Sequence, residues 1–173
     1  MNDLELFQAY RKDVYYLCYY LVHNAADAED LCQETFVRAL QADRSGVERL
    51  KPWLLRIAAN LCSSHGERRK KGMWKEMASF LQQPRLTHEA ADESVLRGEG
   101  ELELARMLGR LPAKMQKVLT LRYVNELSLP EIAECLDIPL GTVKSRMNKG
   151  MQLMRKQLTT ETAGKWKGDE CLD

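Results

Sequence analysis

What the sequence has little of narrows the field first. No apolar run approaches the roughly 20 residues that a bilayer-spanning helix needs, and 29% of the 173 residues are charged, which argues against a membrane protein. Cysteine is sparse and scattered: Cys18, Cys32, Cys62, Cys135 and Cys171 are five in number, with no CxxC pair among them. Neither a disulfide framework nor a zinc ribbon is indicated, and buried or idle thiols are expected. The histidines His23, His65 and His88 fall in unrelated settings. Cys62 and His65 can share a helical face, but a zinc site needs two further ligands that the sequence does not supply. No catalytic constellation, cofactor or small-molecule substrate is therefore expected. The opening residues Met1-Asn2-Asp3-Leu4-Glu5 are acidic where a secretory signal is basic, so a cytoplasmic protein is expected.

Net charge is also nearly absent, at +1, but the average conceals a pattern. Between Arg56 and Lys75 stand Arg56, Arg68, Arg69, Lys70, Lys71 and Lys75, opposed by Glu67 alone. Between Thr87 and Leu104 the sign reverses: Glu89, Asp92, Glu93, Glu99, Glu101 and Glu103 outnumber Arg97. Between Thr142 and Leu158 come Lys144, Arg146, Lys149, Arg155 and Lys156 with no acid. Two basic segments parted by an acidic one suggest two polyanion contacts joined by a tether.

Strand signals are scarce, and apolar residues recur at intervals of three and four. Leu6, Tyr10, Val14, Leu17 and Leu21 stripe a first helix over about residues 4–23. Asn24 is a fitting N-cap for a second, which buries Ala28, Leu31, Thr35, Phe36 and Ala39 and runs to about Ala42. Asp43-Arg44-Ser45-Gly46 breaks it, and Pro52 opens a third helix, at a position where proline is tolerated. That helix is expected to end in or near Gly66–Gly72. From Met73 to Gly100 the composition reads as a flexible linker, with a short helix at most around Met73–Leu81. Helical periodicity resumes from Glu101 to Leu158, broken at Pro112, Asn125-Glu126 and Pro139, and a frayed tail follows from about Thr159. The expected fold is all-α: two small helical bundles joined by a flexible linker. Their bounds are 1–72, 73–100 for the linker, 101–160, and a tail over 161–173.

The stretch from Ser128 to Met147 has the layout of a helix-turn-helix. Ser128 and Glu131 form a capping box. Ile132, Leu136, Ile138, Val143 and Met147 are spaced to core two crossed helices, and Ala133 is small where those helices approach. The second helix then presents Thr142, Lys144, Ser145, Arg146 and Lys149 near its N-terminal end, where a recognition helix meets base edges and phosphates. A charge run is more often a solvated face. Five bases without an acid, on a helix that follows a turn, favour the DNA-reading alternative.

The N-terminal half carries a more specific signal. Asp27-Ala28-Glu29-Asp30-Leu31-Cys32-Gln33-Glu34-Thr35-Phe36-Val37-Arg38-Ala39 resembles the core-polymerase-binding helix of the extracytoplasmic-function sigma factors. Trp53-Leu54-Leu55-Arg56-Ile57-Ala58-Ala59-Asn60 is similar to the helix that follows it in that family. Leu111-Pro112 through Leu121-Arg122-Tyr123, and Gly141-Thr142-Val143-Lys144-Ser145-Arg146, resemble its promoter-reading domain. The likeness spans about residues 4–158 in the family's order. It implies core RNA polymerase as a partner, through the β′ clamp helices and the β flap, with Asp30, Gln33, Glu34 and Phe36 forming or supporting the clamp-binding surface. It implies promoter DNA as the second partner. The loop at Gln41–Lys51 and the helix with Arg56, Asn60, Arg68, Arg69, Lys70 and Lys71 would meet the −10 element, and Thr142–Lys149 the −35 element. It also implies an anti-sigma factor, often membrane-bound. Two departures stand out. Ser63-Ser64-His65-Gly66 precedes the basic run, and Asp137 sits at the turn where many relatives have glycine.

The rival readings make distinct demands. An autonomous helix-turn-helix regulator needs a dimerisation surface or ligand pocket, a metal-dependent nuclease needs clustered His and carboxylates, and a pure adaptor leaves two basic segments unexplained. Tyr10, Tyr15, Tyr16, Tyr19 and Tyr20 give the first helix an aromatic surface that either packs within its own bundle or is covered by an inhibitor.

Overall fold

The computed structural model describes residues 1–79 and 98–166, with side chains described through Met73 and Glu161 at the ends of those stretches. Seven helices follow one another among the described residues: α1 Asp3–Val22, α2 Ala25–Gln41, α3 Leu50–Ser79, α4 Glu99–Gly109, α5 Ala113–Tyr123, α6 Leu129–Leu136 and α7 Leu140–Trp166. Helices α1 to α3 pack as one bundle and α4 to α7 as a second, as the periodicity predicts.

Local chemistry sets the helix ends. The Asn2 Oδ1 accepts from the Glu5 amide at 2.8 Å while the Asn2 amide donates to Glu5 Oε2 at 3.0 Å, a reciprocal cap on α1. His23 ends that helix in the left-handed region, at φ 55°, and donates its amide to Tyr19 O. Asn24 then caps α2, accepting from the Asp27 amide at 2.9 Å. At the following break the Ser45 amide donates to Asp43 Oδ1 at 3.0 Å. Pro52 lies within the first turn of α3, where its missing N–H is one the helix could not use.

Most core positions expected in the first half are buried: Leu6, Val14 and Leu17 from α1, with Tyr10 and Leu21 of the same stripe only partly so; and Ala28, Leu31, Thr35, Phe36 and Ala39 from α2. Leu54 and Ala58 of α3 are buried with them. The tyrosines of α1 pack inward, with Tyr19 and Tyr20 buried and Tyr10, Tyr15 and Tyr16 partly buried against the same core. That geometry answers the open question in favour of bundle packing.

Three boundaries differ from the sequence reading. Helix α3 does not end at Gly66–Gly72 but continues to Ser79, about 45 Å in all at 1.5 Å per residue. Neither glycine turns the chain: both lie inside α3, and neither takes a positive φ. A helical glycine costs only about 1 kcal/mol, and Glu67 to Lys71 are good helix formers. Second, α4 begins at Glu99, so the stretch read as a linker contributes helix at both ends; residues 80–97 lie outside the described residues. Third, α7 runs through the expected tail to Trp166. The Glu161 carboxylate meets Arg110 at 2.5 Å there, and the Thr159 and Thr160 hydroxyls donate to carbonyls one turn back.

Candidate nucleic-acid interface

The second half builds a helix-turn-helix from α6 and α7. Ser128 opens α6 with the expected box: its amide donates to Glu131 Oε2 at 2.8 Å, and its hydroxyl accepts from the Glu131 amide at 3.4 Å. The Ser128 hydroxyl also donates to Glu131 Oε2 at 2.7 Å, and that bond, with the one from the Ser128 amide, holds the Glu131 carboxyl below its ordinary range. The turn is made at Asp137, whose φ of 52° and ψ of 52° are left-handed. Aspartate tolerates that region better than most residues, which is how the chain manages without glycine. Ile132 and Val143 are fully buried between the helices, while Leu136, Ile138 and Met147 pack at the edge of the core.

The register of α7 leaves Lys144, Ser145 and Lys149 exposed, with Thr142 and Arg146 half-buried, along its first turns. Gly150 fixes the depth at which this helix sits. A Cβ there would stand 2.9 Å from Leu119 Cδ1 on α5, so a larger residue must displace Leu119 or push α7 outward. No spacing rule marks that glycine in the sequence, because its partner is 31 positions away and fully buried.

The basic helix α3 sorts its residues by face. At about 100° per residue, Arg56, Asn60, Ser63, Glu67, Lys70 and Lys71 fall within one face. Arg69 and His65 fall on the opposite side, with Arg68 between. The ion pairs agree: Arg69 lies 3.9 Å and His65 3.2 Å from the Asp27 carboxylate on α2. Arg56, Asn60, Lys70 and Lys71 are thus brought together, whereas Arg69 is drawn away from them. Arg56, Asn60, Arg68, Arg69, Lys70 and Lys71 are all exposed.

On α2 the expected partner-facing residues divide as well. Asp30 and Gln33 are exposed, and Glu34 receives a hydrogen bond from Arg38 at 2.7 Å. Phe36 is 4% exposed and meets Phe7 edge-on at 4.9 Å, so it supports the helix from within. Sequence reading passed over Val37 and Leu40, which are 47% and 44% exposed. With Asp30 and Gln33 they form one stripe at i, i+3, i+7 and i+10. Their signal was two apolar residues falling outside the buried stripe of α2.

Cys18, Cys32, Cys62 and Cys135 are free and buried. Burial pushes the thiols of Cys32 and Cys135 up to about 12, and a hydrogen bond with Cys62 together with burial raises Cys18 further. Among the described residues no three His, Cys, Asp or Glu side chains gather in a way that would hold a metal ion, and no helix is long and apolar enough to cross a membrane.

Comparison with known proteins agrees with both halves. Residues 6–72 match the Sigma-70 region 2 family and residues 101–154 match the Sigma-70 region 4 family. The chain is 34% identical over 163 residues to the ECF RNA polymerase sigma factor SigW of Bacillus subtilis, covering 89% of this chain and 87% of that one. It is 30% identical to the RNA polymerase sigma factor SigV of the same organism, covering 88% of each. Its fold is similar to that of the sigma factor RpoE of Bartonella quintana, solved with the anti-sigma factor NepR. The TM-score there is 0.69 at 20% identity, covering 88% of this chain and 94% of the other. It is similar as well to CnrH, solved with the cytosolic domain of CnrY, at a TM-score of 0.65 and 22% identity over 91% and 88% of the two chains.

Proposed function

The chain belongs to the extracytoplasmic-function group of the sigma-70 family, and on that premise we propose how its residues divide the work of directing RNA polymerase to promoters. The exposed stripe of α2, Asp30, Gln33, Val37 and Leu40, docks on core polymerase, with Glu34 at its edge and Phe36 holding it from beneath. Apolar Val37 and Leu40 supply the area, and the acids supply orientation.

The face of α3 with Arg56, Asn60, Lys70 and Lys71 meets the −10 element. A protein can open DNA without ATP only by binding the opened form better than the duplex. A captured, unstacked base offsets a few kcal/mol of unpairing, and the cations hold the strand's backbone. Thr142, Lys144, Ser145, Arg146 and Lys149 read the −35 element from the major groove, with Gly150 setting their depth. The reading assigns no covalent chemistry to the chain, places it in the cytoplasm, and includes an anti-sigma factor as the inhibitory partner.

One observation carries most of this reading: two basic surfaces stand on two separate bundles, matched in chain order to the two sigma regions. The test is assembly. Mixed with core RNA polymerase, the chain should co-elute as a stoichiometric complex, and the complex should retain a promoter duplex that neither component retains alone. Failure to bind core, by a folded chain, contradicts the assignment.

A further inference from the structure

Helix α1 does more than fill the first bundle: two of its aspartates hold the segment that joins α2 to α3. The Arg44 guanidinium donates to Asp3 Oδ1 at 2.5 Å, and Lys51 Nζ lies 3.0 Å from Asp13 Oδ1. Asp3 and Asp13 are ten positions apart, about 15 Å along the axis of α1 at 1.5 Å per residue. One grips the entry of the segment and the other its exit. Both anchors join parts of the same bundle, so neither depends on how the second bundle sits.

Between the anchors the backbone has a set shape. The Ser45 amide donates to Asp43 Oδ1 at 3.0 Å, and the Val47 amide donates to Arg44 O at 3.1 Å, closing a turn on the residue that Asp3 holds. The segment then leads onto the face of α3 assigned above to the −10 element. The Trp53 amide donates to Arg49 O at 3.3 Å, so the first turn of α3 closes on Arg49. At about 100° per residue, Arg49 lies within about 20° of Arg56, seven positions on, and so heads the row that Arg56 and Asn60 continue. Ser45, Gly46, Glu48 and Arg49 are all exposed on the way there.

Exposed ion pairs add little to stability, because water screens them and ordering two long side chains offsets the gain. Here the side chains of Arg44, Lys51 and Asp13 each keep under a third of their surface exposed, whereas Asp3 is open to water. The pairs therefore fix where the segment sits more than they stabilise the bundle, whose core is apolar.

We infer that Asp3 and Asp13 are positioning residues for −10 recognition: through Arg44 and Lys51 they hold residues 42–49 in register with the Arg56–Asn60 face. Helix α1, without touching DNA, thereby governs which base is accepted at the edge of the −10 element. The inference rests on the assignment of α3 to the −10 strand. A segment released from its anchor samples several placements, and its apparent affinity for the matched base falls by the fraction of time spent in the productive one.

The test uses the full chain bound to core RNA polymerase, on a promoter fragment that the complex transcribes. The −10 element is randomised in one library and the −35 element in another, and the bases enriched in open complexes are read by sequencing. Asp3→Ala should flatten base preference at one edge of the −10 element, by about tenfold if the freed segment is productively placed about a tenth of the time. Its −35 preference, co-elution with core and melting temperature should stay near those of the wild type. Asp3→Glu, which keeps the carboxylate, should keep the wild-type preference. Asp3→Ala combined with Arg44→Ala should be no worse than the more severe single change, since both act through one contact. Wild-type preference in Asp3→Ala, where Asn60→Ala alters it, overturns the inference, as does an equal loss at both elements, which marks general damage. If Arg56→Ala and Asn60→Ala also leave −10 preference intact, the assignment of α3 itself fails, and the inference with it.

Discussion

The side-chain nitrogen of Gln116 stands 2.7 Å from His23 Nε2, so the histidine that ends α1 is a hydrogen-bond acceptor for the opposite bundle. The same nitrogen donates to Tyr20 O. With both its hydrogens placed in this way, His23 Nε2 is unprotonated, and burial lowers its pKa from the ordinary 6.5. A histidine whose pKa is lowered on folding binds its proton more readily in the unfolded chain. Its neutral state therefore supports the fold above about pH 6.5, and that support fades as pH falls below this value. Denaturant unfolding between pH 7.5 and 5 should show a steeper loss for the wild type than for His23→Asn, which keeps a residue tolerant of the left-handed cap. Parallel pH profiles would contradict this role.

Truncating the recognition helix separates two kinds of contact. If Arg146 or Lys144 reaches a base edge, its replacement by alanine costs about 1–3 kcal/mol and relaxes sequence preference. If it reaches a phosphate, all sequences weaken alike and the slope of log affinity against log salt falls by about one. Salt titrations of the core complex on matched and mismatched −35 duplexes distinguish the two. Unchanged promoter use in both variants would remove α7 from the role assigned to it.

Gly150 should be intolerant although it lies in a helix. Alanine there gains about 1 kcal/mol in helix propensity, yet its Cβ meets fully buried Leu119 at 2.9 Å. Gly150→Val should lower the melting temperature and weaken −35 binding together, because α7 is pushed off α5. A larger gap in place of the contact, made by Leu119→Ala, should rescue binding more than stability.

Removing the cap of α6 should cost stability without touching DNA chemistry. Ser128→Ala leaves the Glu131 amide without its acceptor and is expected to lose about 1 kcal/mol. The Glu131 carboxyl, held low by Ser128, contributes above its ordinary 4.5 and loses that contribution as pH falls through its lowered value. The deficit of Ser128→Ala should therefore shrink in acid, which calorimetry at pH 7 and pH 3 would read.

On α2, Val37→Asp should weaken core-polymerase binding markedly while leaving the melting temperature nearly unchanged, because Val37 is 47% exposed. Phe36→Ala should do the reverse first, losing about 3–5 kcal/mol of stability as a buried aromatic. Co-elution with core, set beside thermal unfolding, separates the two positions. Equal behaviour of the two variants would contradict the division.

Much of this architecture was legible because it follows from local chemistry. Asn24, Ser128 with Glu131, and the breaks at Pro112 and Pro139 act on neighbouring residues, so they are visible in one dimension. The buried stripe of α2 was legible for the same reason, being a helical repeat. Glycine misled at Gly66 and Gly72, where composition suggested a stop and the surrounding helix formers carried α3 onward. What stayed hidden depends on residues far apart in the chain. Gly150 against Leu119, Gly109 against His23, and Lys117 against Ser63 are defined only once the bundles meet. The facing of Arg69 toward Asp27 belongs to the same class, since a basic run gives a count of cations and not the side on which each stands.

Run-off transcription is the most direct test of the central claim. Core polymerase, with and without the chain, would be offered a library of promoter-containing fragments. Discrete transcripts that require the chain, and that share two upstream elements, are predicted, with Arg146→Ala altering which fragments are used. Transcripts that do not depend on the chain, from a folded preparation that binds core, would contradict the claim that it selects promoters.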